Sequence, residues 1–403
     1  MGQGGTVSPT GGTVSGTSGV AGTPPTGGVS GTAPTGGVSG TGVGGTDAGS
    51  AGLGGVGGSA PTGGDAGTGP GGAGVGGTAG GGTGGGGSGT GGSAGAAPCP
   101  PGPVGWAAIP GSGFNAPTTG GCNATPVTVS SLSALNTALA GFQPKVVRVS
   151  GTITGTVQMT ANTTLEGMSG ARINGSIQID NDINVIVRNL IVVGNNCSDA
   201  NPCEDGADAI SINGGSHHVW VDHCDISNGS DGNLDVADAS DFVTVSWTKF
   251  SYSGTSRDHR FSNLVGDDDN ATADAGKLGV TFHHCWWADR VEERMPRVRY
   301  GRVHLFNNLW TSSGNDQCVQ LGTNGNIRME NNVFVGVANP INSTDYNPGS
   351  GAVTATGTLT MSTTGSSANR GTAWTPSSIA GYTYTLEPTS GLQTAVQNGA
   401  RPQ

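Results

Sequence analysis

From residue 185 onward the sequence repeats itself. VIVRNLI from Val185, VWVDHCDI from Val219, VTVSWTKF from Val243, VTFHHCWW from Val280, VHLFNNLW from Val303 and IRMENNVF from Ile327 share one pattern, with starts 34, 24, 37, 23 and 24 residues apart. A unit of about 23 residues, lengthened twice by insertions in turns, is the signature of a β-solenoid. One such coil cannot bury its own face, so neighbours must stack on it. The first and third positions of each segment are mainly apolar and, at the two-residue period of a strand, face the coil interior. The fifth position carries Asn189, His223, Trp247, His284, Asn307 and Asn331. Stacking should align these into a ladder along the axis, where amides satisfy each other and buried turn backbone. That assigns His223, His284, Asn307 and Asn331 to structure first.

Upstream, VVRVSG, TTLEGMSG and INGSIQID continue the strands and turns. Thr128 to Gly141 differs: Leu132, Leu135 and Leu139 fall at helical spacing, with Ser130 or Ser131 as the cap, which predicts one short amphipathic helix. It should close one open end of the solenoid, with Leu392 and Val396 of the tail forming part of a cover for the other.

Residues 1–97 cannot join that core. They hold no Lys, Arg, Glu or aromatic residue, two Asp (Asp47 and Asp65), and mostly Gly, Thr, Ser, Ala and Pro, with PTGGVSGT at Pro25–Thr32 and again at Pro34–Thr41. Such a segment buries too little apolar area to offset its chain entropy, so a disordered, flexible tether is expected, ahead of one globular domain over 98–403. A glycine-rich phosphate cradle is excluded, since no Lys-Ser/Thr and helix follow.

All seven cysteines lie in the globular part, at 99, 122, 197, 203, 224, 285 and 318. Cys99/Cys122 and the short Cys197–Cys203 loop are read as disulfides of an oxidising compartment, and no spacing suits zinc. The odd count leaves at least one free thiol. Cys224 and Cys285 stand two coils apart, roughly 9.6 Å at a strand spacing of about 4.8 Å, too far to bridge. The start MGQGGT meets the loose myristoylation pattern only as any Gly-rich chain would, and no signal peptide is visible at Met1. Cysteines and tether together still suggest a secreted protein. No run of 18 apolar residues offers a membrane span. At a net charge of -11 no nucleic-acid partner is expected, and a monomer is the default.

Against that acidic background, Arg290, Arg294, Arg297, Arg299 and Arg302, five of 16 basic residues, gather on the connection between two strand segments. Local field rather than net charge decides what a cleft attracts, so this stretch reads as an anion site. Pairing with Asp289, Glu292 and Glu293 is the plainer alternative. Asp208, Asp231 and Asp235 come from turns on neighbouring coils with no Lys or Arg among them. Brought together they repel unless a hard cation such as Ca²⁺ joins them; alone, they are ordinary turn residues.

VWVDHCDIS, DAISI, DGNLDV, VTVSW, NLVG and RMPRVRYGRVHLFNNLW, kept in family order over about residues 104–400, together resemble polysaccharide lyase family 1, the pectate lyases. The resemblance implies a right-handed, single-stranded parallel β-helix that cleaves polygalacturonate by β-elimination, with Ca²⁺ as cofactor. It makes Asp208, Asp231 and Asp235 the calcium ligands and Arg294 the proton-abstracting base. Arg299 becomes the grip on a substrate carboxylate, with Arg297, Arg260 and His259 as further substrate contacts. Asp222 and His223 match a family signature read as scaffolding near the cleft. Arginine stays protonated up to about pH 12, so its use as a base implies an alkaline optimum. Many members carry a Lys just before the NLVG-like stretch; here RDHRFSNLVG puts Phe261 at or near that position, with Arg260 beside it. The departure bears on how tightly the chain is held, not on the reaction class.

Three rivals stand beside this reading. A pectin lyase would act on methyl-esterified chains without calcium, in a cleft lined by aromatics; Trp286, Trp287 and Trp310 would be its aromatics. A polygalacturonase-type hydrolase would need closely spaced carboxylates to work on water. A non-catalytic carbohydrate-binding solenoid would need neither Arg294 nor the three Asp.

Overall fold

The computed structural model describes Cys99 and residues 101–194, 208–254, 259–344 and 347–403. The tether expected over 1–97 and the Cys197–Cys203 pair lie outside the described residues. Within Gly87–Gln403 the chain winds through three parallel sheets of ten, eight and nine strands. In each sheet every strand hydrogen-bonds to the equivalent strand one coil on, as in a parallel β-helix.

The repeat sets the register. Val219 pairs with Val185 on one side and Val243 on the other, and the line runs on through Val280, Val303 and Ile327. These residues and the third-position Val187, Val221, Val245, Phe282, Leu305 and Met329 are all fully buried in the main core, as expected.

The fifth position stacks along the axis as expected but does not point inward. Asn189, His223, Trp247, His284, Asn307 and Asn331 all have positive φ, between 46° and 55°, and form a left-handed corner. Asparagine tolerates that conformation better than most residues. The corner turns the chain, so the inward ladder sits one residue later, at Leu190, Cys224, Thr248, Cys285, Asn308 and Asn332. Asn308 Nδ2 donates to Asn332 Oδ1 (3.1 Å), and the Asn308 Oδ1 accepts from the Cys285 amide (2.8 Å). The fifth-position rings instead stack beside this line: His223 on Trp247 at 5.8 Å and Trp247 on His284 at 4.2 Å. The amides of this position do satisfy turn backbone as expected, Asn307 Nδ2 donating to the Asn331 carbonyl (3.3 Å), but the amide-to-amide pairing lies at Asn308 and Asn332.

A second internal column holds the aromatics. Phe250, Trp287, Trp310 and Phe334 stack at 5.6, 4.5 and 4.2 Å. Trp287 and Trp310 are therefore core and line no cleft, and Trp286 packs beside the tail helix. Aromatic support for a pectin-lyase cleft disappears with them.

The predicted helix spans its three spaced leucines but not the whole of Thr128 to Gly141. Val127–Val129 is a strand, and α1 runs Leu132–Leu139, capped by Ser131 Oγ on the Ala134 amide (3.3 Å). Leu135 and Leu139 seal the first coil. The tail helix α2, Leu392–Gly399, is no end cap: Leu392 and Val396 pack on Leu309 and Val333, on the outer side of the nine-stranded sheet. Bridges Ala338–Thr364, Ile341–Ser367 and Val353–Arg370 cover the last coils instead. Cys99 and Cys122 form the expected disulfide, and Cys224, Cys285 and Cys318 are free and buried.

Candidate active site

The acidic residues meet on the eight-stranded sheet. Asp208 lies just before the strand Ile210–Asn213, and Asp235 lies inside the next strand, Leu234–Val236, opposite Ser211. Asp235 is 7% exposed, and its Oδ1 accepts from the Leu264 amide at 2.9 Å. Asp208 Oδ1 is buried without a hydrogen-bond partner. Both oxygens face Gly232: a Cβ built there would lie 2.5 Å from Asp235 Oδ1 and 2.9 Å from Asp208 Oδ1. A glycine is required because any side chain would occupy the space the two carboxylates share.

Asp231, in the turn before Asp235, faces two groups. Its Oδ1 accepts from His259 Nε2 at 2.8 Å and lies 3.9 Å from a terminal nitrogen of Arg294. The His259 hydrogen bond, with help from the Arg294 charge, holds this carboxyl below the usual range despite partial burial. Burial pushes Asp208 well up, reinforced by Asp235 and Asp231 and opposed by Arg294. Burial likewise raises Asp235, against the Leu264 amide and Arg294. Three carboxylates against one guanidinium leave a charge of -2 when all are ionised, which is a cation-seeking arrangement.

The donor chemistry fits a hard cation such as Ca²⁺, which takes carboxylate oxygens, and the orphaned Asp208 oxygen is a ligand in search of a partner. The set is not drawn fully together. Among the described residues no three His, Cys, Asp or Glu groups stand close enough to hold one ion as placed. Asp231 would have to turn from His259 toward the other two.

Arg294 sits at the entrance to a short strand, Arg297–Val298, one coil beyond Leu264–Val265. The core fixes this connection, since the Trp310 indole donates to the Met295 carbonyl (3.0 Å) and the Trp287 indole to Asn263 Oδ1 (2.7 Å). The Arg294 guanidinium lies over the Phe261 ring, 4.6 Å from its centroid. Phe261 also packs on the His259 ring at 4.0 Å.

The remaining arginines separate in space. Arg297 lies on the site sheet in register with Leu264 and Gln320. Arg299 is 8% exposed, with Nε on Asp269 (2.6 Å) and a terminal nitrogen on the Gly266 and Asp267 carbonyls (2.9 Å each). Arg260 pairs with Glu292 at 3.1 Å and donates to the Arg290 carbonyl. Arg302 stacks on Trp106, 4.7 Å away. Arg294, Arg297, Arg299 and Arg302, neighbours in sequence, thus go to different partners and do not make one anion site. Asp222 and His223, expected as scaffolding near the cleft, bond each other (2.8 Å) at the end of a strand of the ten-stranded sheet. The engagements of Asp231 by His259 and of Arg299 by Asp269 were not apparent from sequence. A signal for the first existed: His259 and Phe261 are two apart, so extended chain points both to one side.

Residues 102–400 match the profile of the family described as pectate lyase. The chain is 36% identical over 232 residues to the probable pectate lyase B of Aspergillus flavus, covering 55% of this chain and 64% of that one. It is 33% identical over 283 residues to pectate lyase E of Dickeya chrysanthemi, covering 57% and 67%. Against a pectate trisaccharide-lyase of a Thermotoga species it is 33% identical over 233 residues, covering 56% and 60%. The match to the first of these spans a little under two thirds of that relative's length. In fold, the chain resembles a pectate lyase of Bacillus sp. N165 crystallised with trigalacturonate, at TM-score 0.62 and 23% identity over 74% of this chain and 98% of that one.

Proposed function

The chain belongs to the pectate lyase family, and we propose that it is a calcium-dependent lyase cleaving polygalacturonate by β-elimination. The observation that carries the reading is the buried, unpartnered Asp208 oxygen facing Asp235 across Gly232, with Arg294 beside them. Asp208, Asp235 and, once turned from His259, Asp231 would hold Ca²⁺. When bound, the ion supplies positive charge that neutralises a uronate carboxylate and makes the neighbouring C5 hydrogen more acidic.

The protein's own groups do the rest. Arg294, as neutral guanidine, takes the C5 proton on a terminal nitrogen. The electron pair left on C5 forms the C4–C5 double bond, and the C4–O bond breaks with its electrons on the leaving sugar oxygen, which is protonated from solvent. No water adds to the sugar, so no carboxylic acid/base pair is needed. Arg297 and Arg260 face the substrate chain as cations, and His259, released when Asp231 turns to the cation, is a further substrate contact. Arg299 can grip a carboxylate bidentately only by exchanging Asp269 for it. The protein is secreted and acts as a monomer on demethylated pectin.

The test is ultraviolet absorbance of polygalacturonate at alkaline pH with calcium or EDTA. Absorbance that rises with calcium and stops with EDTA is expected. Indifference to EDTA with faster turnover of methylated pectin, new reducing ends without absorbance, or no change on either substrate would each overturn the proposal.

A further inference from the structure

Arg294, like Arg302 on Trp106, is held by a ring face rather than by hydrogen bonds. Arg299 spends three hydrogen bonds on Asp269 and two carbonyls, and Arg260, Arg188 and Arg328 each pair with a glutamate at 2.7–3.1 Å. Among the described residues the Arg294 side chain donates no hydrogen bond. Its contacts are the Phe261 ring at 4.6 Å and Asp231 at 3.9 Å, a separation longer than a hydrogen bond. Its donors are therefore open to an incoming group, and a ring face sets its place.

We infer that Phe261 is the positioning residue of Arg294, an aromatic shelf that keeps the guanidinium near the carboxylates without letting it close on Asp231. The inference rests on the lyase reading above. The backbone delivers the ring to that spot. Phe261 bridges Glu293 in parallel, the Ser262 amide donates to the Glu293 carbonyl (3.0 Å), and the Asn263 amide donates to the Arg294 carbonyl (2.6 Å). These bonds lock the two coils in register, and Arg294 leaves the chain from a left-handed corner at φ 55°. His259 completes the brace. Its ring packs on Phe261 at 4.0 Å, while its Nε2 occupies the Asp231 oxygen nearest Arg294. A cation over a ring face is attracted by the ring's quadrupole yet keeps its N–H groups free, which a carboxylate partner would not allow.

Removing the ring lets Arg294 close the gap to Asp231 and form a full ion pair, displaced from where a proton must be taken. Misplacement of a reacting group by about 1 Å costs up to roughly a hundredfold in rate. In Phe261→Leu, kcat on polygalacturonate should therefore fall between about tenfold and a hundredfold, with KM within about twofold of wild type. Phe261→Tyr and Phe261→Trp, which keep a ring face, should recover most of kcat. If the Leu variant loses its cooperative melting transition, Phe261→Met serves in its place under the same expectations. A ring-less variant at wild-type kcat overturns the assignment, as does a rise in KM at constant kcat, or a Tyr variant as slow as Leu. Wild-type turnover is measured first: its absence defeats the lyase reading itself, a result distinct from any of these.

Discussion

Gly232→Ala is the sharpest probe of the carboxylate pair. The methyl group would sit 2.5 Å from Asp235 Oδ1 and 2.9 Å from Asp208 Oδ1, closer than heavy atoms tolerate. Gly232 has no positive φ, so the substitution strains contacts rather than backbone. Both obstructing atoms are side-chain ends, so the carboxylates give way before the coil does. Asp235 then loses its 2.9 Å bond from the Leu264 amide. A hydrogen bond to a charged group is worth about 1.5–3 kcal/mol, which bounds the stability loss. The larger effect falls on the cation. Displacing even supporting groups of a metal site costs roughly 10- to 100-fold in affinity, and the proposed function makes Asp208 and Asp235 direct ligands, so calcium affinity should fall at least that far. Calorimetric titration with calcium, beside a thermal melt at neutral pH, reads both quantities. An unchanged calcium titration on a folded variant would refute the placement of the cation between Asp208 and Asp235.

Two further outcomes follow from the same geometry. Arg294→Lys should lose about 10²- to 10⁴-fold in kcat, the usual span for a general base, with an unshifted melting curve because no hydrogen bond of that side chain supports the fold. Turnover near wild type would remove Arg294 from the base role. Glu330, although burial alone would raise it, is brought down to about 2 by hydrogen bonds from His304, Tyr384 and Arg328. A carboxyl depressed in the folded state contributes stability that is full above its unfolded value, about 4.3, and is lost as pH falls toward 2. Melting temperature should drop through that window, and in Glu330→Gln the drop should be smaller and start from a lower neutral value; identical pH profiles would exclude this linkage.

Much of the architecture was legible because a solenoid writes its period into the chain. Apolar first and third positions and leucines at helical spacing are local patterns, and the core and α1 lie where those patterns put them; Asp208 precedes its strand as expected, whereas Asp235 falls inside a strand rather than in the turn before it. Strict alternation failed at the fifth position for a physical reason. A left-handed corner rotates the chain out of the two-residue rhythm, so the next inward residue is the sixth, and the amide-to-amide pair is Asn308 with Asn332, while Asn307 bonds the Asn331 carbonyl. Nothing in residue identity marks that corner, because Asn, His and Trp all occupy it.

Charge was the least readable property. Arg290 to Arg302 are neighbours along the chain, yet a coil carries its residues around three sheets, so proximity in sequence sends Arg302 to Trp106 and Arg299 to Asp269. Conversely, residues a full coil apart are brought within a strand spacing, which is how Phe261 comes beneath Arg294 and His259 reaches Asp231. The sequence by itself determined the family, the repeat and the types of groups available for the chemistry. That Asp208 is left unpartnered, and that Arg294 is left with free donors, only the stacking of coils decided, because those are contacts between residues that the chain keeps roughly 30 to 60 positions apart.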